Sequence, residues 1–204
     1  MGLRREEVVL PFRVPRERVP DAHLVRSTWL SSSILALRER GDYERYLALL
    51  EPEYRAQIVG SIAGVWLPTE VALAHYRACE ALGLSDEEIC SRSAQVTRRV
   101  HQASLAVALR LAREAGVSPW TLYAQLDRAW DRVWQGGGIA VTKLGPKEAG
   151  IEIIRWRCAG IPYCRTAMPA VLLAITQMFC NKAYVKDVTR TRFEDSLVLR
   201  CSWA

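Results

Sequence analysis

In residues 138–203 the apolar spacing changes from that of a strand to that of a helix and back again, which leaves few folds open. Residues 139–144 and 151–158 are β-rich runs parted by Gly145-Pro146. Residues 165–180 carry Met168, Val171, Leu172, Ile175, Met178 and Phe179 at the spacing of one helix face. Strand character returns over 183–189 and 196–203. The last run alternates Leu197, Leu199, Cys201 and Trp203 with Val198, Arg200 and Ser202, the period of a half-buried strand. The order strand, strand, helix, strand, strand predicts an antiparallel ββαββ unit whose helix buries its stripe on one sheet face.

The chain before it reads differently. Residues 1–26 hold Val8-Val9-Leu10-Pro11-Phe12, then Pro15 and Pro20, and prolines at that density predict an extended arm that pairs with a sheet edge or crosses the surface. Residues 27–135 read as helical. Ser27 is placed to cap a helix through Trp29, Ile34 and Leu37 that Gly41 stops. Tyr43, Tyr46, Leu47 and Leu50 share a second helix face, and Val71, Ala74, Ala78 and Leu82 form a narrow seam on a later one. Ser85 and Glu88 make a capping box ahead of Ile89. Residues 97–115 read as the longest helix, apolar over a wide arc and therefore central. A last stripe of Leu122, Tyr123, Leu126, Trp130 and Val133 is ended by Gly136-Gly137-Gly138, read as a flexible joint to the sheet unit of residues 136–204. The expectation is one compact α+β domain, its N-terminal helical part packed on the C-terminal antiparallel unit.

Half of the 204 residues are hydrophobic, enough for a sizeable core, and no apolar run reaches the roughly 20 residues of a membrane span. The first residues lack the apolar stretch of a secretion signal, so the expected location is cytoplasmic. The net charge of +6 is concentrated in residues 141–204, with ten Lys or Arg against five acids. Without a dense basic stripe or a recognisable module, nucleic acid is disfavoured as a partner, whereas an acidic protein partner or a hydrophobic small molecule suits the chain. A homodimer is a further candidate arrangement. The exposed-tryptophan idea, with Trp29, Trp66, Trp120 and Trp134 as anchors, would make the chain an interface protein.

The residues Trp66-Leu67-Pro68-Thr69-Glu70, Tyr76, Leu82-Gly83-Leu84-Ser85 and the closing run 197–203 make the chain resemble a family of myxobacterial proteins of roughly 200 residues. That family is similar in plan to the haem-nitric-oxide-binding and 4-vinyl-reductase superfamily. The resemblance implies a bacterial signalling module that holds a small molecule between helices and an antiparallel sheet. It departs in two ways. No Tyr-x-Ser-x-Arg motif for haem propionates is present, and of three histidines only His101, near the start of the central helix, suits a haem ligand or a base. Cysteines near the last strands resemble the zinc site of 4-vinyl-reductase-like sensors, and Cys158, Cys164, Cys180 and Cys201 are the candidate ligands, without the tight paired spacing such sites show. The expectation is therefore no cofactor, with zinc held open and haem disfavoured.

The leading function is non-enzymatic: a ligand-binding, signalling or interaction module with an apolar pocket between helix 165–180 and the sheet. Its expected walls are Trp156, Tyr163, Met168, Leu172, Ile175, Phe179, Tyr184 and Trp203, the apolar and aromatic types that line small-molecule sites. Each is also an ordinary core residue. The alternative is an enzyme acting on a hydrophobic small molecule. Cys164 at a helix N-terminus would be its nucleophile, with His101 as base and Asp187 orienting it. No GxSxG, HExxH or GxGxxG supports that alternative.

Overall fold

The computed structural model describes residues 7–114, 118–190 and 195–204, and the side chains of these except 101–114. The proline-rich arm begins with β1 (Glu7–Leu10), turns through a short 3-10 segment, and ends in β2 (Leu24–Arg26). Four helices follow, α1 (Ser27–Glu39), α2 (Tyr43–Leu49), α3 (Pro52–Val59) and, after the short β3 (Trp66–Pro68), α4 (Thr69–Ala81). Ser27 is the first helical residue of α1 rather than its cap, and its hydroxyl instead donates to the Ile62 carbonyl. The seam on α4 packs as its small residues allow, with Val71, Ala74 and Ala78 all buried.

The capping box at Ser85 starts α5 (Asp86–Glu114): the Ser85 backbone N–H donates to Glu88 over 2.9 Å, and the Glu88 N–H returns to Ser85 Oγ. This one helix spans 29 residues, so the central helix starts at the box and not near residue 97. The stripe at 122–133 is divided between two short helices, α6 (Pro119–Tyr123) and α7 (Leu126–Asp131), followed by β4 (Trp134–Gln135).

The sheet unit then runs β5 (Gly138–Gly145), β6 (Glu148–Ile154), a 3-10 turn at Arg157–Gly160, α8 (Pro162–Thr176), β7 (Ala183–Asp187) and β8 (Leu197–Trp203). Its strands are antiparallel in the order β1-β5-β6-β8-β7, and β3-β2-β4 form a second, small sheet. The α+β class follows directly. Register explains the single buried face: Ile139 pairs with Ile153 and Ile153 with Leu197, while Val141 pairs with Ile151 and Ile151 with Leu199. Such side chains contribute about 1.5–3 kcal/mol each on full burial. The opposite face keeps polar pairs such as Arg200 with Glu148 and Arg16 with Glu152 in water.

Three local expectations change. Residues 155–158 leave the strand, because Arg155 takes φ +57° and turns the chain into the 3-10 segment that carries Cys158. The three glycines are a packed corner and no loose joint. Gly136 and Gly137 take positive φ, the Gly137 N–H donates to the Pro20 carbonyl over 2.8 Å, and a Cβ on Gly136 would stand 2.1 Å from the Asp21 carbonyl oxygen. The arm is likewise held, by β1 on β5 and by Arg13 on Asp127.

Candidate functional site

A cavity of about 460 Å³ lies between α8 and the helices and strands it faces. Protein interiors hold few voids larger than a water molecule, whereas small-molecule sites run from roughly 300 to 1,000 Å³, and this space falls within that range. The stripe on α8 forms one wall through Met168, Val171, Leu172 and Ile175. Facing it are Ile139 and Ile153, paired across β5 and β6. Ser93, Val96 and Val100 of α5 close one flank, and Trp29 and Ser33 of α1 another.

Aromatic side chains shape what is left. Trp130, Trp134 and Trp156 all line the cavity and contact one another, with ring centres 5.8–6.0 Å apart. The Trp130 indole N–H donates to the Gly136 carbonyl, so the packed glycine corner fixes that ring. Trp156 is 2 % exposed and its indole N–H has no acceptor among the described residues. Tyr76 and Tyr163 stack on each other at another side of the space. Two guanidinium groups belong to the lining: Arg26, half-buried over the Trp66 ring, and the exposed Arg132.

Behind Ser33 stands a buried polar chain. His75 Nδ1 meets Tyr46 Oη at 2.7 Å, and His75 Nε2 meets Ser33 Oγ at 3.0 Å, with Cys79 Sγ 3.7 Å away. Burial holds the His75 pKa down to about 3, so the ring is neutral and carries one N–H. Tyr46 is buried, its hydroxyl pKa is raised by desolvation, and it needs an acceptor. The arrangement that serves the buried Tyr46 hydroxyl has Tyr46 O–H donating to Nδ1 and Nε2–H donating to Ser33.

Of the expected pocket residues, Trp156, Tyr163, Met168, Leu172 and Ile175 line this space and Phe179 does not. Tyr184 is 62 % exposed, because β7 puts Ala183 inward and its neighbour outward. Trp203 is buried elsewhere, edge-on to Trp120 and Tyr123. The tryptophans suggested as exposed anchors are otherwise engaged as well: Trp29 and Trp134 are cavity wall, Trp66 lies under Arg26, and Trp120 packs on Trp203.

The four cysteines do not assemble. Cys164 hydrogen-bonds Cys158, Cys201 sits by Tyr123, and Cys180 donates to the Thr176 and Lys182 carbonyls. Among the described residues no group of three or more His, Cys, Asp or Glu side chains could hold a metal ion. Cys164 and Asp187 do not come together as a catalytic pair either. Burial pushes the Cys164 thiol well above its ordinary range, the reverse of an activated nucleophile, while Asp187 is taken by Arg165 and Thr189. His101 stands on α5, and its side chain lies outside the described residues. Among the described residues no helix is long and apolar enough to cross a membrane.

No family model and no curated protein matches the sequence. Solved structures do match in fold. One, described as an oxygen-binding H-NOX domain related to soluble guanylate cyclases, superposes with TM-score 0.56 at 11 % identity, over 87 % of this chain and 94 % of that one. A second, described as probing haem distortion in the H-NOX family, gives TM-score 0.57 at 11 % identity with the same two coverages, 87 % and 94 %. A mutant H-NOX domain of T. tengcongensis gives 0.56 at 11 % identity, over 87 % and 97 %. The chain therefore has an H-NOX-like fold. This overturns the expectation of no cofactor with haem disfavoured: that inference rested on a missing short motif and on the histidines, and the fold is one of which some solved examples are described by their haem.

Proposed function

We propose that the chain is a small-molecule-binding module of the sensor type, with its ligand held in the cavity under α8. One observation carries this reading: a space of about 460 Å³ walled by the apolar face of α8 and three mutually packed tryptophans. An apolar ligand that displaced water from such walls would gain about 25 cal/mol for each Å² of apolar surface it buried.

Haem belongs among the candidate occupants, and the described lining offers it apolar walls and cations but no imidazole. The walls are apolar and aromatic, and Arg26 and Arg132 suit its two carboxylates. Met168 in the lining is a residue type that ligates haem iron without first losing a proton, and His101 follows the lining residue Val100 on α5. Cys164 is less suited, since its buried thiol holds its proton. Bound haem would supply an iron able to take a diatomic gas as a further ligand. The chain's own part is to exclude water, orient the flat molecule against the tryptophans and pair its anionic edge.

Titration of the purified protein with hemin tests the reading. The expected result is a Soret band that saturates at one equivalent, with thermal stabilisation worth about 2.7 kcal/mol at a hundred-fold excess over Kd. The filling substitution Ala167→Trp, checked for folding by circular dichroism, should abolish both. If Ala167→Trp binds hemin as the parent does, the cavity is not the site.

A further inference from the structure

The cavity wall carries cations but no described anion, and its other polar side chains include the hydroxyls of Thr28, Ser33, Tyr76, Ser93 and Tyr163, which both donate and accept. Arg26 and Arg132 only donate hydrogen bonds, and so do the indoles of Trp29, Trp130, Trp134 and Trp156. Among the described lining residues there is no carboxylate, carboxamide or imidazole. One of these donors lacks an acceptor: the Trp156 N–H has none among the described residues although the residue is 2 % exposed, whereas the Trp130 N–H is taken by the Gly136 carbonyl. A buried N–H without a partner costs roughly 1–3 kcal/mol, a cost that a ligand oxygen would remove. Of the two guanidinium groups, Arg26 gives one N–H to the Gly64 carbonyl over 2.7 Å and lies over the Trp66 ring. Neither Arg26 nor Arg132 has a carboxylate within 4.0 Å among the described residues, although many other arginines here do.

Resting on the reading above, we infer that the ligand is an apolar acid: an anionic oxygen group held by Arg132 and Arg26, on a hydrophobic body. The preference for an anion follows from the two guanidinium groups and from the lack of a carboxylate among the described lining residues. A cationic molecule of the same shape would set its charge against two guanidinium groups. A neutral molecule would forgo charge-assisted bonds to the guanidinium groups. The body can be a chain or a flat ring system, since the wall constrains it only by volume and apolarity.

The test compares three probes with one body, decanoate, decanol and decylamine, by isothermal calorimetry against the intact protein. Decanoate should bind more tightly than decylamine by about ten-fold or more, with decanol between them. Arg132→Gln should narrow the gap between decanoate and decanol, with the larger loss falling on decanoate. Metal-free protoporphyrin and its dimethyl ester repeat the comparison on a flat body, and tighter binding of the free acid there assigns the site to ring acids. Equal affinity for decanoate and decylamine overturns the inference and leaves the cavity reading standing. If none of the chain or ring probes binds, the cavity reading falls with it.

Discussion

His75 and the two hydroxyls beside it decide the polar character of an otherwise apolar interior. A buried imidazole with both nitrogens engaged is stable only while neutral, and its pKa near 3 against an unperturbed 6.5 expresses that. The unfolded chain takes up a proton near pH 6.5 that the folded chain refuses until about 3. This contribution to stability is therefore complete above about pH 6.5 and is lost as the pH falls toward 3. Urea titrations at pH 7 and 5 of the parent and of His75→Gln should show a steeper loss in the parent, by up to about 1.4 kcal/mol per pH unit. Equal losses would mean that His75 is solvated in the folded chain. Tyr46→Phe should cost about 1–3 kcal/mol, because it strands His75 Nδ1 without a donor. A change within a few tenths of a kcal/mol would show that the bond contributes nothing.

At the scale of elements, the corner between β4 and β5 joins the arm, α7 and the sheet. Gly136 there combines φ +80° with direct contact to the Asp21 carbonyl, whereas Gly41 has φ +78° and nothing within 4 Å of a built Cβ. Both Gly136→Ala and Gly41→Ala incur the left-handed strain of about 1 kcal/mol, and only the first adds a clash. Thermal denaturation should rank Gly136→Ala well below Gly41→Ala; equal stability would show that the corner yields. Elements were legible where the pattern was local. The alternation at Leu197, Leu199, Cys201 and Trp203 placed β8, and Ser85 with Glu88 placed the start of α5. The α8 wall was legible for the same reason, since Met168, Leu172 and Ile175 share one helix face. Tyr184 misled because its side of the sheet depends on the pairing of Ala183 with Trp203, and register across 20 residues leaves no local trace. Trp29, Ser33 and the link from Tyr46 to His75 were missed on similar grounds, being contacts between helices far apart in sequence. The absence of a Tyr-x-Ser-x-Arg motif was read against haem, while the fold's plan was legible in the order of the elements.

For the whole molecule, a sheet wet on one face packs α7 and α8 against its strands, and the helices and sheet together do not close solidly. Side chains from α1, α4, α5, α7, α8 and the sheet meet around the same space, so filling it alters contacts in every layer at once. The fold is shared with H-NOX domains at 11 % identity, which says that this plan survives nearly complete replacement of its residues. The central claim is that the space exists to be occupied. Native mass spectrometry of freshly purified protein tests it directly, reading bound mass and subunit number in one spectrum. The account predicts a one-to-one adduct that is apolar, acidic and absent from Ala167→Trp. Bare polypeptide mass that stays bare after incubation with hemin or decanoate would contradict it.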